Sequence, residues 1–202
     1  MKKSKIELKK AEAEKEKILT AARRYIFTQG FNSLTVGKLA TKLGLSTKVI
    51  YTHFHGKQLL LEEAIEWKFA DMDREMTAAE GGGSNFSERI HAVFDVLREH
   101  AKEINAAYIH DLLEANPVFF EWTRSKRREL FTKHFEILFA DGRREGAICD
   151  EVTVEVFIEM YQMLTDGILM GNTIRKQEEA TVAKIYGQIV RVLSKGILRQ
   201  IN

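Results

Sequence analysis

A group of hydrogen-bonding and charged side chains lies on one side of a short predicted helix that begins after Ser46. Thr47, Lys48, Tyr51 and Thr52 are spaced so that a helix places them on a common face. Hydroxyl and ammonium groups of this kind bond to phosphate oxygens and to the edges of bases. The chemistry that this face predicts is therefore binding of nucleic acid.

Residues 35–54 are predicted to form two short helices joined by a tight glycine turn. Thr35 is placed to cap the first helix, Gly44 to end it and Ser46 to cap the second. The inward positions form a small apolar core that fixes the angle between the helices: Val36, Leu39, Ala40, Leu45, Ile50 and Phe54. Two helices within about twenty residues are typical of a helix-turn-helix, whose second helix enters the major groove of DNA.

The charge distribution favours the same interpretation. Residues 1–68 contain 14 Lys and Arg against 7 Glu, whereas the rest of the chain contains 17 against 22 Asp and Glu. A basic first third on an acidic remainder is typical of a domain that binds a polyanion and is attached to a separate domain.

Residues 18–61 resemble the DNA-binding domain of the TetR family of bacterial repressors. The matching positions occur in the family's order and spacing: Ala21-Ala22, Phe27, Gly30, Thr35-Val36, Leu39-Ala40, Gly44-Leu45-Ser46, the run from Tyr51 to Phe54, Lys57 and Leu60. The resemblance covers less than a quarter of the chain. The remainder agrees with the family in the number and length of its helices.

This resemblance implies a DNA-binding set: Thr35, Ser46, Thr47, Lys48, Val49, Tyr51, Thr52, His53 and Lys57. In the family pattern Thr35 and Lys57 hold phosphates at the starts of helices, and Tyr51 and His53 contact the DNA backbone. The side chains at 47, 48, 49 and 52 face base edges. The expected target is a near-palindromic double-stranded operator.

Three positions depart from the family pattern. Lys48 stands where a small residue is usual, Val49 where threonine is frequent, and Gly56 where a polar capping residue is usual. A lysine can bond to a guanine edge, and a valine methyl can pack on the methyl of thymine. The operator sequence therefore cannot be derived from the family pattern.

The helical period predicts an all-α protein of about nine helices. We expect a charged N-terminal extension at residues 1–17, helical or disordered and within possible reach of DNA. A helix-turn-helix domain at 18–68 and a larger helical ligand-binding and dimerisation domain at 69–202 follow. Residues 81–84, Gly-Gly-Gly-Ser, are the clearest break between helices, and the helix before them is predicted to cover 57–76.

The larger domain has more bulky apolar side chains than a thin helical layer requires. This excess predicts a mostly apolar cavity for a small hydrophobic or amphipathic inducer that releases the protein from DNA, with helix 57–76 as a lever. The candidate ligand contacts are Phe94, Tyr108, His110, Leu112, Phe120, Phe135, Met160 and Met163.

The last two predicted helices favour a homodimer through residues 152–199. Their apolar faces are wider than a surface helix needs. The residues on these faces are Val152, Val156, Met160, Met163, Leu164, Gly167 and Ile168, followed by Val182, Ile185, Ile189, Val192, Leu193 and Gly196. Two such faces can form a four-helix bundle across a twofold axis.

A helical enzyme and a structural adaptor without DNA binding are the alternatives. Nothing in the sequence indicates a nucleophile with its base, and His53 and His55 are two residues apart, so a helix cannot aim both at one metal. We therefore predict no catalytic residue, no metal and no cofactor. A single cysteine, Cys149, and the lack of a long uncharged segment indicate a cytoplasmic protein without a membrane span.

Overall fold

The computed structural model describes residues 5–104, 106–114, 117–149, 151–170 and 179–197. Within these ranges nine α-helices account for the regular structure, which confirms the all-α prediction. They are α1 (Lys5–Gln29), α2 (Val36–Leu43), α3 (Thr47–His53), α4 (Lys57–Gly82), α5 (Phe86–Lys102), α6 (Ala106–Glu114), α7 (Pro117–Arg144), α8 (Val154–Met170) and α9 (Glu179–Ile197).

Helix α1 continues through the predicted N-terminal extension. Residues 5–17 form its first turns, and residues 1–4 lie outside the described residues. These turns are not an isolated arm, because Lys15 pairs with Glu63 of α4 at 2.5 Å and its ammonium lies 5.5 Å from the ring centre of Phe54. The second half of α1 supplies the buried side of the helix, with Ile18, Ala22 and Ile26 fully buried against α2 and α4.

Helix α4 is longer than predicted. It passes without a break through the predicted domain boundary at 68/69 and includes two of the three glycines that were predicted to interrupt it. Tertiary contacts explain the extra turns: Met76 is fully buried, and Glu80 bonds to the buried His134 of α7 at 2.5 Å. The chain then turns at Gly83, and Asn85 caps α5 by accepting a hydrogen bond from the Glu88 amide at 3.0 Å.

The C-terminal domain is built on a cluster of aromatic side chains from α5, α7 and α8. Phe135 of α7 is fully buried, with its ring 4.8 Å from Phe157 of α8 and 5.8 Å from Phe94 of α5. Helix α9 packs on α5 and α8. None of the described helices has both the length and the apolar character needed to cross a membrane.

Candidate nucleic-acid interface and ligand cavity

Helix α2 and the recognition helix α3 are capped by side chains and a glycine from their own segment of the sequence. Thr35 Oγ1 accepts a hydrogen bond from the Lys38 amide at 3.2 Å, and Ser46 Oγ accepts one from the Val49 amide at 3.3 Å. Gly44 adopts a left-handed conformation with φ of 65°, which glycine takes without steric cost. This conformation ends α2 at Leu43. The positions of α2 and α3 thus follow from local chemistry.

The outer face of α3 consists of side chains from the predicted DNA-binding set. Thr47, Lys48, Tyr51 and Thr52 are exposed, and Tyr51 presents 52% of its surface. Val49 is half-buried at the edge of this face. The opposite side is closed by Ile50 and Phe54, which are almost completely buried. This face is free to contact the edges of bases in a groove.

His53 lies differently from the rest of the predicted DNA-binding set. Its Nε2 is 2.8 Å from Glu14 Oε1 of α1, and its side chain is only 13% exposed. The imidazole therefore joins the end of α3 to α1, and Glu14 competes with any phosphate for it. His53 was expected to contact the DNA backbone, and its pairing with Glu14 was not predicted.

Lys57 begins α4 beside the loop between α1 and α2. Its Nζ donates a hydrogen bond to the Asn32 carbonyl at 3.4 Å. Partial burial lowers the pKa of Lys57, and the nearby carboxylate of Asp111 opposes this effect. The ammonium thus lies at the start of a helix, where the resemblance expects a phosphate contact.

A contact between Asp111 of α6 and Asn32 joins the C-terminal domain to the helix-turn-helix. The Asn32 amide donates to Asp111 Oδ2 at 2.8 Å, and Asn32 Nδ2 donates to Oδ1 at 3.0 Å. Gly30 is required here, because it has φ of 78° and a Cβ at this position would collide with the Asp111 carboxylate. We call this pair of hydrogen bonds the α6–loop contact.

A cavity of about 110 Å³ lies behind α6, and every helix except α2 and α3 contributes to its wall. Its surface is mostly apolar and aromatic. The main apolar contributions come from Phe27, Ile65, Leu97, Leu112, Phe120 and Phe131. The rings of Phe27 and Tyr108 are 4.6 Å apart, so α1 and α6 meet at this wall.

Lys68 introduces a charge into the cavity wall. Its Nζ bonds to Glu103 Oε2 at 2.8 Å and lies 3.1 Å from His100 Nδ1, and it stands 4.8 Å from the ring centre of Phe27. Burial lowers the pKa of Lys68, with the bond to Glu103 acting in the opposite direction. Burial and the neighbouring Lys68 charge also lower the pKa of His100, which favours its neutral form.

Two arginines of α7 line the cavity on the other side. Arg124 Nε donates to Asp166 Oδ2 of α8 at 2.8 Å, and Arg127 bonds to the other oxygen of the same carboxylate. Within the described ranges, neither the buried Arg127 Nε nor the buried hydroxyl of Tyr161 has a hydrogen-bond partner. Burial raises the pKa of Tyr108 and of Tyr186, so both phenols at this wall remain protonated, although the Arg127 charge opposes the shift.

The predicted ligand contacts divide into three groups. Tyr108, Leu112 and Phe120 line the cavity. Phe94 and Phe135 are buried in the aromatic core and do not line it, because their rings pack on Phe157. His110, Met160 and Met163 point to the surface, so their assignment to the cavity is wrong: each lies on the outward side of its helix.

The cavity contacts missed by sequence reasoning are Lys68, Arg127 and Tyr161, together with the α6–loop contact. Lys68 could have been found, since it occupies one position of an otherwise apolar stripe on α4. Asp111 is an acidic residue inside a mainly apolar helix, which is a weaker indication that it makes a tertiary contact. Among the described residues, no group of three or more His, Cys, Asp or Glu side chains could hold a metal ion.

The fold and the exposed recognition helix define a helix-turn-helix DNA-binding protein with a helical C-terminal domain. Residues 18–64 match the family model of the bacterial regulatory proteins of the tetR family. Residues 18–64 are therefore a DNA-binding domain of the tetR family, and the chain is a DNA-binding transcriptional regulator.

Three similar proteins of the same class are distant from this chain in sequence. The HTH-type transcriptional regulator SrpR of Pseudomonas putida is 19% identical over 176 residues, which cover 87% of this chain and 82% of SrpR. A TetR-family regulator from Agrobacterium tumefaciens has a TM-score of 0.72 at 16% identity, with 94% of this chain and 100% of that chain covered. A regulator from Saccharomonospora viridis, solved in complex with choline, has a TM-score of 0.70 at 17% identity, covering 94% and 100%. These matches are to regulators and not to enzymes.

Proposed function

We propose that this regulator is a repressor that binds a near-palindromic operator as a homodimer and leaves it when a small apolar or amphipathic ligand enters the cavity. One observation carries the proposal: α6 lines the cavity with Tyr108 and Leu112 and also holds the helix-turn-helix through Asp111. A molecule in the cavity therefore contacts the same nine-residue helix that positions the DNA-binding domain.

The proposed DNA contacts follow the exposed face of α3. Thr47, Lys48 and Thr52 would meet base edges, with Val49 at the border of the face, and Tyr51 would meet the phosphate backbone. Lys57 and Thr35 would hold phosphates at the starts of α4 and α2. Phosphate contacts fix the register and supply affinity, whereas base contacts supply sequence preference.

The proposed dimer uses the outward apolar face of α8 and the adjacent part of α9. Val156, Met160, Met163 and Leu164 are exposed at helical spacing, and Met163 presents 67% of its surface. Val192 of α9 is 69% exposed. A continuous apolar surface of this kind is rare on monomers and typical of interfaces. Two copies would place two recognition helices in successive major grooves, about 34 Å apart.

Other predicted interface residues contribute less to this face or cannot be placed. Leu193 is buried in its own subunit, and Ile185 and Ile189 are half-buried. Val152 lies before α8 and is also half-buried, whereas Gly167 is exposed. The side chains of Ile168 and Val182 and the surroundings of Gly196 lie outside the described part of the chain.

The proposed release requires that the ligand prefer one arrangement of the domains. A ligand that bound the DNA-competent and the released arrangement equally would not change the affinity for DNA. A preference of about 1–3 kcal/mol lowers operator affinity by roughly 5- to 150-fold. The route suggested by the contacts runs from the cavity through α6 and Phe27 to the loop between α1 and α2. The continuous helix α4 forms a second connection.

The test begins with selection of operator DNA from genomic fragments by the full-length protein. Fluorescence anisotropy then measures operator affinity with and without a panel of small apolar and amphipathic compounds, and thermal unfolding records which compounds bind. We expect a near-palindromic site and at least one compound that both raises Tm and weakens operator binding. Failure to select any sequence would contradict operator recognition, and ligands that bind without changing operator affinity would contradict the release mechanism.

A further inference from the structure

Two hydrogen-bond donors in the cavity wall have no partner among the residues that the structure describes. Tyr161 is 1% exposed and its hydroxyl is unpaired, although the residue lines the cavity. The Nε of Arg127, another cavity-lining residue, is equally buried and unpaired. The rest of the Arg127 guanidinium is anchored on Asp166, so the orientation of the group is fixed.

Unpaired buried donors are uncommon, because each has lost its water without gaining a protein acceptor. When such a donor belongs to the wall of a cavity, an acceptor on a bound molecule can supply the missing hydrogen bond. An arginine N–H and a phenol O–H are both donors to a carboxylate or to another oxygen anion. Neither can bind an ammonium group in these roles, since the Arg127 charge repels cations.

The charged side chains at the cavity wall are paired with carboxylates. Lys68, Arg124 and Arg127 line the cavity, and the carboxylates that pair with them are those of Glu103, Glu121 and Asp166. His100 is favoured in its neutral form. Of the three cations, Arg127 alone has a buried N–H without an acceptor in the described part of the chain, so a ligand carboxylate would supply both an acceptor and an opposite charge at that group.

We propose that the ligand is an organic monoanion, a carboxylate on a compact apolar group, whose carboxylate accepts hydrogen bonds from Arg127 Nε and the Tyr161 hydroxyl. This inference rests on the proposed ligand-binding function of the cavity and names its ligand class. The apolar group would lie against Ile65, Leu112, Phe120 and Phe131. The volume of about 110 Å³ is somewhat smaller than the roughly 150 Å³ cavity that accommodates benzene, so the apolar group must be small: a short alkyl chain fits best, and a single ring requires small shifts of the wall.

The experiment uses probes that share a skeleton and differ in their polar group. Phenylacetate, phenylethanol and phenethylamine carry an anion, a neutral hydroxyl and a cation on the same ring, and hexanoate, hexanol and hexylamine repeat the comparison on an alkyl chain. Isothermal titration calorimetry on the full-length protein measures each affinity without reference to DNA. We expect each carboxylate to bind at least 10-fold more tightly than its alcohol, with the amine weakest.

Two variants test which residues cause the preference for the carboxylate over the alcohol. Tyr161→Phe removes only the unpaired hydroxyl and should reduce carboxylate affinity about 10-fold, with little change for the alcohol and no decrease in Tm. Arg127→Gln should abolish the preference for the anion. Arg124→Gln is the matched control, because Arg124 shares the Asp166 carboxylate but its Nε is already paired. It should reduce carboxylate affinity less than 3-fold.

The outcomes separate this inference from the proposed function. Equal binding of carboxylate and alcohol, tighter binding of the amine, or no binding of any probe would overturn the inference. A selectivity that persists in both Tyr161→Phe and Arg127→Gln would also overturn it. If the carboxylates bind as expected but leave operator affinity unchanged in a parallel anisotropy titration, the ligand class stands and the release mechanism fails.

Discussion

The recognition helix and the cavity present their polar groups by different means. At the starts of α2 and α3, each capping side chain bonds to a backbone amide three positions along, and the outer side chains of α3 point into solvent. In the cavity, Lys68, Arg127 and Tyr161 come from three helices that are far apart in sequence. Substitutions on the outer face of α3 should therefore act locally on DNA binding, whereas substitutions in the cavity should also alter how the helices pack.

The largest effect is expected from placing a charge on the outward apolar face of α8. Met163→Glu should disrupt the proposed dimer, since it buries an unpaired carboxylate in an apolar contact. Without a dimer only one half-site is held at a time, and we expect operator affinity to fall by at least about 100-fold, or 2.7 kcal/mol. Sedimentation measures the subunit state, and anisotropy measures the affinity.

Val118→Glu is the control for this substitution, because Val118 is 81% exposed on α7, outside the proposed interface. It should leave both sedimentation and affinity as in the parent protein. A dimeric Met163→Glu protein would exclude the α8 face as the interface.

The next effect tests whether the DNA-facing surface acts locally. Tyr51→Ala and Lys57→Ala should each weaken operator binding about 10-fold, or 1.4 kcal/mol, with no change in probe affinity in the cavity. Removal of the Lys57 ammonium should also lower the slope of log affinity against log salt by about one.

Lys48→Ala provides the contrast on the same surface. It should change the ranking among related operators more than the affinity for unrelated DNA, since Lys48 is expected to meet bases. If neither Tyr51→Ala nor Lys57→Ala alters operator affinity, the assignment of this surface to DNA is wrong.

A smaller effect is expected where the two regions are joined. Asp111→Asn removes the charge and one of the two acceptors of the α6–loop contact. We expect the free energy of coupling between ligand and operator to fall by about 1 kcal/mol, a five-fold reduction in the ligand's effect on DNA affinity. Operator affinities with and without a binding probe give this coupling directly.

His110→Asn is the matched control, because His110 neighbours Asp111 on α6 but is mostly exposed. Its coupling should equal that of the parent protein. An unchanged coupling in Asp111→Asn would assign the communication to another route, of which α4 is the alternative.

The smallest effect concerns the pH dependence of stability. Asp73 of α4 accepts hydrogen bonds from Lys133 at 2.5 Å and from His134 at 2.7 Å, and the Lys133 bond is the main reason that its pKa lies below the usual 3.8. The folded state therefore favours the charged carboxylate. This stabilisation is present above the unfolded pKa and is lost as the pH falls through the folded pKa.

Lys133→Gln should therefore reduce the free energy of unfolding at neutral pH by less than about 1 kcal/mol, because solvent screens this partly exposed pair. The difference from the parent protein should shrink toward zero as Asp73 becomes protonated. Urea titrations at several pH values measure it. Lys126→Gln, which removes a 3.7 Å ion pair with Glu66 between the same two helices, is the comparison. A difference that grows in acid would contradict the assignment.

The recognition helix could be predicted more fully than the cavity, because its interactions join residues that are close together in the sequence. Thr35, Gly44 and Ser46 act on residues within five positions, so the sequence predicted α2, α3 and their caps. Helix α4 was predicted too short, because its last turns depend on Met76 and on the bond between Glu80 and His134, which no local pattern contains.

The cavity was harder to predict for the same reason. Apolar composition indicated that a cavity exists, and three of the eight proposed contacts line it. Met160 and Met163 share the residue type of a flexible pocket wall, yet the rotation of α8 places them outside. The pairing of Asp111 with Asn32 spans 79 positions and depends on the full arrangement of α1, α6 and the intervening loop.

The α6–loop contact also sets a rule for building chimaeric sensors from this protein. A foreign DNA-binding domain joined to this C-terminal domain would need an asparagine at the position of Asn32 to meet both oxygens of Asp111. It would also need a glycine at the position of Gly30, since any Cβ there collides with the same carboxylate. Donor domains with this pair should transmit the ligand response after grafting, whereas donors without it should bind their operator and ignore the ligand.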